Sequence, residues 1–186
     1  MKSIASAPAK VILFGEHFIV YDGKAILCAI DKRITVESEL VNTNTIQIES
    51  NLGSITIPKD ESIKNVDAKF KPVVFVAQKI LKQFDSKSGL RITIRSEIPA
   101  GVGLGSSSAC CVAATSSISG LFTKYSKEEI IKLALEGEKT VFERASGADT
   151  ASCTFGGILE YRKQGTKNLN LDPKFQMIIA LISQAT

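Results

Sequence analysis

The sequence is poor in the residues that hold metals. It has one histidine, His17, and four cysteines, Cys28, Cys110, Cys111 and Cys153, none of them in a C-x-x-C pair. Zinc-site spacing is therefore absent. Cys110 and Cys111 are adjacent in an apolar segment, which predicts buried, reduced thiols and a cytoplasmic protein. No segment approaches the roughly 20 apolar residues that a membrane span needs. Pro8, Lys10 and Glu16 interrupt the apolar stretch that a secretion signal would require near the start. Lysine and arginine form no dense run. The formal net charge is +4, from 23 basic and 19 acidic residues among 186, a bias that draws small anions but makes no nucleic-acid surface. Internal repeats and low-complexity linkers are also missing. What is present is 44% hydrophobic content, which argues against disorder and suffices for one sizeable core.

The pattern of that content predicts mixed structure. Residues 3–14 read as an early strand, with Pro8 restraining its middle and VILF at 11–14 as a buried run. Residues 25–39 form a second strand, ending in the alternation ITVES, and short strands follow at 46–49 and 54–57 with Asn51 and Gly53 in the turn between them. The polar stretch 58–69 is a surface excursion. Val73, Ala77, Ile80 and Phe84 recur at helical spacing, widened by Val74 and Leu81, so a helix is expected over 72–84. Gly89 opens an alternating strand in which Leu90, Ile92, Ile94, Ser96 and Ile98 share one face. Small residues dominate 106–122, which fits a helix packed very closely on a neighbour. A helix over 126–142 starts with Ser126 and Glu129 as a capping box. SGAD at 146–149 breaks the pattern and can open a short helix. Strands are expected at 156–161 and 175–182. Such an order is α+β in class, unlike the regular alternation of a doubly wound sheet.

The segment PAGVGLGSSSA, residues 99–109, carries chemistry. Gly101, Gly103 and Gly105 permit backbone angles that other residues avoid and leave room for oxygens to approach the amides. The chain then enters a helix, whose first amides are unpaired and carry partial positive charge. Together these features make an anion cradle to which Ser106, Ser107 and Ser108 can donate. It is neither a P-loop, since no lysine follows Gly105, nor a dinucleotide fingerprint, whose last glycine is missing. A tight strand-to-helix turn without ligand is the alternative reading of these residues.

At this point the sequence resembles the small-molecule kinase superfamily that includes galactokinase, homoserine kinase, mevalonate kinase and phosphomevalonate kinase. Residues 99–109 resemble its PxxxGLGSSA motif with one additional serine. Residues 7–21, APAKVILFGEHFIVY, resemble the first motif of the mevalonate kinases. Gly137 and Glu138, followed by SGADTASCTFGG at 146–157, are similar to their GE…HGNPSGxDxxxSxxGG stretch. The chain departs from that pattern in having Phe142, Glu143, Arg144 and Ala145 where many members have HGNP.

The resemblance implies the N-terminal domain of these kinases, a fold shared with a ribosomal-protein domain. It implies ATP and magnesium as cofactors and phosphorylation of the 5-hydroxyl of mevalonate. Phosphomevalonate kinase, or another kinase of the superfamily, is the alternative, with a non-catalytic binding domain further behind. Asp149 is the candidate that takes or orients the proton of the substrate hydroxyl. Lys10 is implied to lie near it and to stabilise developing negative charge. Pro99, Gly101, Gly103, Leu104, Gly105, Ser106, Ser107 and Ser108 are implied to hold the nucleotide, Ser107 and Glu138 the magnesium, and Glu16 and His17 the mevalonate. Neither a nucleic acid nor a membrane is expected as partner, and a homodimer stays open. The chain stops directly after its last expected strand. Residues 1–186 are therefore read as the ATP- and substrate-binding domain, lacking its last part and a C-terminal domain.

Overall fold

The computed structural model describes residues 1–16, 18, 21, 23–171 and 178–180. Among these residues seven strands and four α-helices follow in the order β1 (Lys2–Phe14), β2 (Ala25–Val41), β3 (Thr45–Ser50), β4 (Gly53–Pro58), α1 (Lys71–Gln83), β5 (Gly89–Ser96), α2 (Ser106–Ser119), α3 (Lys127–Glu138), α4 (Ala148–Phe155), β6 (Ile158–Arg162) and β7 (Gly165–Asn168). The α+β class is as expected. The strands form one sheet in the order β4-β3-β5-β2-β6-β7, with β1 also paired to β2. All pairs are antiparallel except β3 with β5. No helix among the described residues is long and apolar enough to cross a membrane.

One face of the sheet is dry and the other wet, as antiparallel sheets allow. Ile34 and Val36 of β2, Ile46 and Ile48 of β3, and Leu90, Ile92 and Ile94 of β5 are buried in one core with α1 and α2. The intervening residues carry charge on the other side, where Lys2 pairs with Glu37 at 2.9 Å and Arg91 with Glu39 at 3.5 Å. Such exposed pairs add little stability.

α1 presents Val73, Val74, Val76, Ala77, Ile80 and Leu81 to this core. Ile80 is fully buried, and truncating it to alanine would cost about 2–5 kcal/mol. α2 is buried on nearly all sides, with Ala109, Ala113, Ala114 and Ile118 fully enclosed, as befits an interior helix. Its small residues bring it very close to the sheet. Ser117 Oγ lies 2.9 Å from both Ser3 O and Ser38 Oγ, and a Cβ added at Gly120 would sit 2.4 Å from Ser3 Oγ.

Two features of the chain aim residues at the site. The β1–β2 register shifts between Pro8 and Ala9, since Pro8 faces Arg33 but Ala9 faces Ile30. Next to this irregularity Ala9 and Lys10 are both buried, where simple alternation would bury one. Irregular pairing of this kind re-aims side chains. The second feature is the end of α3, which stops at Glu138 and not at residue 142 as the periodicity predicts. Thr140 N donates to Gly137 O at 3.1 Å and Val141 N to Glu138 O at 3.0 Å, while Thr140 Oγ1 also donates to Gly137 O at 2.7 Å. These bonds satisfy the last carbonyls and turn the chain away. The expected strand at 175–182 lies outside the described residues apart from 178–180, and the short polar β7 is an addition that the sequence pattern does not announce.

Candidate active site

The glycine-rich segment joins β5 to α2 through three left-handed glycines, Gly101, Gly103 and Gly105, with φ of 75°, 77° and 74°. Their surroundings differ. A Cβ at Gly101 or Gly103 would meet nothing within 4 Å, whereas one at Gly105 would lie 2.9 Å from Lys10 Cγ. Gly101 and Gly103 thus keep backbone bare toward open space, and Gly105 makes way for a lysine. Lys10 N also donates to Leu104 O at 3.0 Å, fastening β1 to the turn.

The Lys10 side chain runs past Gly105 and ends 3.1 Å from Asp149 Oδ2. Lys10 is buried, but the Asp149 side chain is 37% exposed, so the carboxylate is the partner open to solvent. Asp149 stands in the first turn of α4, where the helix dipole favours negative charge. That helix begins after another left-handed glycine, Gly147, at φ 88°. The turn before it is pinned by the Tyr161 hydroxyl, which donates to Ser146 O, and by Ala148 N, which donates to Ser146 Oγ at 3.3 Å.

Glu138 is the last residue of α3 and is 5% exposed. Ser108 Oγ donates to its Oε1 at 2.5 Å and Thr150 Oγ1 to its Oε2 at 2.6 Å. Burial pushes the pKa of its carboxyl up, the two hydroxyl donors pull it down, and Asp149 pushes it up further against a counter-pull from Lys10. The structure separates the three serines. Ser108 turns inward to Glu138, while Ser106 and Ser107 border a cavity of about 630 Å³ and make no side-chain hydrogen bond among the described residues. Apolar groups supply much of the cavity wall, including Phe70, Val73, Ile98 and Phe142, and Pro99 and Cys110 also line it.

The residues singled out in the sequence thus fall in different places. Lys10, Gly105, Ser108, Glu138 and Asp149 come together, and Pro99, Ser106 and Ser107 adjoin them on the cavity. Leu104 is buried and contributes its carbonyl. Glu16 is exposed after β1 and has no polar partner among the described residues, and His17 lies outside them. Sequence reasoning missed Thr150, which occupies a variable position of the SGxDxxx pattern, and Phe142, which stands on the cavity wall within the departing segment. No spacing signal marks either residue.

No group of three or more His, Cys, Asp or Glu able to hold a metal ion exists among the described residues. A buried carboxylate beside hydroxyls suits a hard cation that takes its remaining ligands from water and phosphate.

Residues 71–157 match the model of the GHMP kinases N terminal domain. The mevalonate kinase of Pyrococcus furiosus is 39% identical over 175 residues, covering 88% of this chain and 52% of its own length. The crystal structure of the Methanococcus jannaschii mevalonate kinase superposes with a TM-score of 0.81 at 34% identity, over 91% of this chain and 56% of that one. That of L. major mevalonate kinase, in complex with R-mevalonate, has a TM-score of 0.67 at 26% identity, over 91% and 52%. The chain spans about half the length of the curated relatives it matches. Motif order, site geometry and these likenesses agree, and the chain carries the N-terminal domain of the GHMP kinases.

Proposed function

We propose that the complete protein transfers the terminal phosphoryl group of ATP to the 5-hydroxyl of mevalonate, as a cytoplasmic enzyme, and that residues 1–186 form its ATP- and substrate-binding part. The observation that carries this reading is the ion pair of buried Lys10 with half-exposed Asp149, set beside Gly105 at the entrance to α2. Phosphoryl transfer asks the protein chiefly for positioning and for charge placed where charge develops. The amides of the glycine-rich turn and of the α2 N-terminus receive phosphate oxygens. The adjoining cavity takes the base, whose flat apolar faces match its wall.

Asp149 lies within reach of solvent and accepts the proton of the attacking hydroxyl, or orients that hydroxyl. Lys10 holds the Asp149 carboxylate in place and stabilises negative charge on the transferred group. Magnesium fits the oxygen donors here. Glu138 and Ser107 would hold it, and when bound it supplies neutralisation of phosphate charge. Glu16 and His17 face the acceptor in this reading, which is supported by the mevalonate kinase names of the relatives and by the L. major enzyme solved with R-mevalonate.

The test is an acceptor panel. The complete protein is incubated with ATP, magnesium and, in turn, mevalonate, phosphomevalonate, galactose and homoserine. Turnover of mevalonate is expected. Phosphorylation of another acceptor with none of mevalonate would reassign the substrate within the superfamily, and no transfer to any acceptor would overturn the kinase reading.

A further inference from the structure

Glu138 has both carboxylate oxygens engaged by hydroxyls from two different helices. Ser108 comes from the first turn of α2 and Thr150 from the first turn of α4, with Glu138 itself ending α3. All three are buried, Thr150 completely and Ser108 to within 3%. Helix geometry turns Thr150 about 100° from Asp149, so adjacent residues of one helix serve Glu138 and Lys10 separately. Ser108 is the serine in excess of the GLGSSA pattern, and Thr150 falls where the third motif specifies no residue. Neither is among the residues bordering the cavity.

A carboxylate at a helix C-terminus faces the negative end of the dipole, and a buried one loses its water. Two hydroxyl donors offset part of both costs. Each oxygen retains a further acceptor site, because an ionised carboxylate has about four lone-pair positions. Hydroxyls that hold one lone pair of each oxygen therefore fix the plane of the carboxylate and direct the others. Resting on the reading of Glu138 as a cation-holding group, we infer that Ser108 and Thr150 are positioning residues that orient the Glu138 carboxylate and so set the affinity for the divalent cation accompanying the nucleotide. Ser108 is on this account no phosphate donor. Ser106 and Ser107 alone of the three serines serve the ligand.

The experiment uses the complete protein and four variants, Ser108→Ala, Thr150→Val, the double variant, and Thr150→Ser, which restores the hydroxyl. Mn²⁺ binding in the presence of a non-hydrolysable ATP analogue is followed by electron paramagnetic resonance, alongside thermal melting and the affinity for the analogue without metal. The double variant should bind Mn²⁺ about 10–100-fold more weakly, with analogue affinity without metal unchanged. Thr150→Val should show part of that loss and Thr150→Ser almost none. A folded double variant whose Mn²⁺ affinity stays within about twofold of wild type would overturn the inference. If the double variant does not fold, equal Mn²⁺ affinities for Thr150→Val and Thr150→Ser would overturn it as well. A wild-type protein that neither binds Mn²⁺ with the analogue nor transfers phosphate would sink the kinase reading, whereas one that does both, with unchanged variants, would sink only the positioning role.

Discussion

Lys10 Nζ and Asp149 Oδ2 lie 3.1 Å apart, although 138 positions separate the two residues between them in the chain. The contact is asymmetric. The lysine is enclosed by its own strand, by the Gly105 turn and by α4, and the aspartate remains 37% exposed. Enclosing both partners would cost the hydration of two charges and close the carboxylate to a substrate. This pair fixes a cation and leaves a carboxylate accessible, which is the arrangement that a hydroxyl acceptor requires.

Removing either member should therefore affect turnover more than folding. Asp149→Asn is expected to lower kcat by about 10²–10⁴, and Lys10→Met by about 10²–10³, with thermal melting little changed. Steady-state assay of the complete protein checks both, and an unchanged rate in either variant would remove that residue from its role.

The glycines of the turn should separate by mechanism. Gly105→Ala must hold a side chain at φ 74° and displace Lys10. It should destabilise by more than about 1 kcal/mol and also lower kcat. Gly103→Ala carries the same backbone strain at φ 77° but meets open space and leaves Lys10 in place, so beyond that strain it should act on the KM for ATP, by encroaching on the phosphates, and spare kcat. Melting curves and kinetics on the two variants test the contrast. Equal effects on KM and kcat in both would contradict it.

Phe142 is 56% exposed on the cavity wall. Truncation to alanine should cost little stability but raise the KM for ATP about tenfold, since base–aromatic contact is worth about 1–3 kcal/mol. Phe142→Tyr should behave as wild type. An unchanged KM for Phe142→Ala would place the base elsewhere.

Burial pushes the Cys110 thiol up to about 12 and raises those of Cys111 and Cys153 as well. A raised thiol pKa means a neutral thiol at ordinary pH. At pH 8 the Cys110 thiolate fraction is on the order of 10⁻⁴, and the labelling rate should climb only as pH rises toward 12. Colorimetric thiol titration should find these three slow in the native protein and fast in denaturant. Fast native labelling at Cys110 would show that its thiol ionises readily on the cavity wall.

Ser126 and Glu129 form the reciprocal cap of α3, through Ser126 N to Glu129 Oε2 at 2.7 Å and Glu129 N to Ser126 Oγ at 3.2 Å. Ser126→Ala should cost about 0.5–2 kcal/mol and leave kcat unchanged, because the cap lies at the opposite end of α3 from Glu138. Denaturant unfolding measures the first effect. A loss of activity without loss of stability would contradict the assignment.

The sequence alone determined much of this protein, because local physics is written locally. Alternation in β5, the apolar stripe of α1, the Ser126 cap and the positive-φ glycines depend on near neighbours, and each stands where the pattern puts it. The end of α3 was not legible. Val141 and Phe142 continue an apolar periodicity, but short-range bonds at Gly137 and Glu138 stop the helix and place Phe142 on the cavity. Motifs likewise named Lys10, Glu138 and Asp149 and set Lys10 near Asp149, but they did not name the partners of Glu138. Only the tertiary structure decided that Ser108, not Ser107, bonds Glu138, and that Thr150 completes the clamp. Three consecutive serines at a helix start look alike in one dimension, and their different roles follow from the 100° turn per residue, which directs each at a different neighbour.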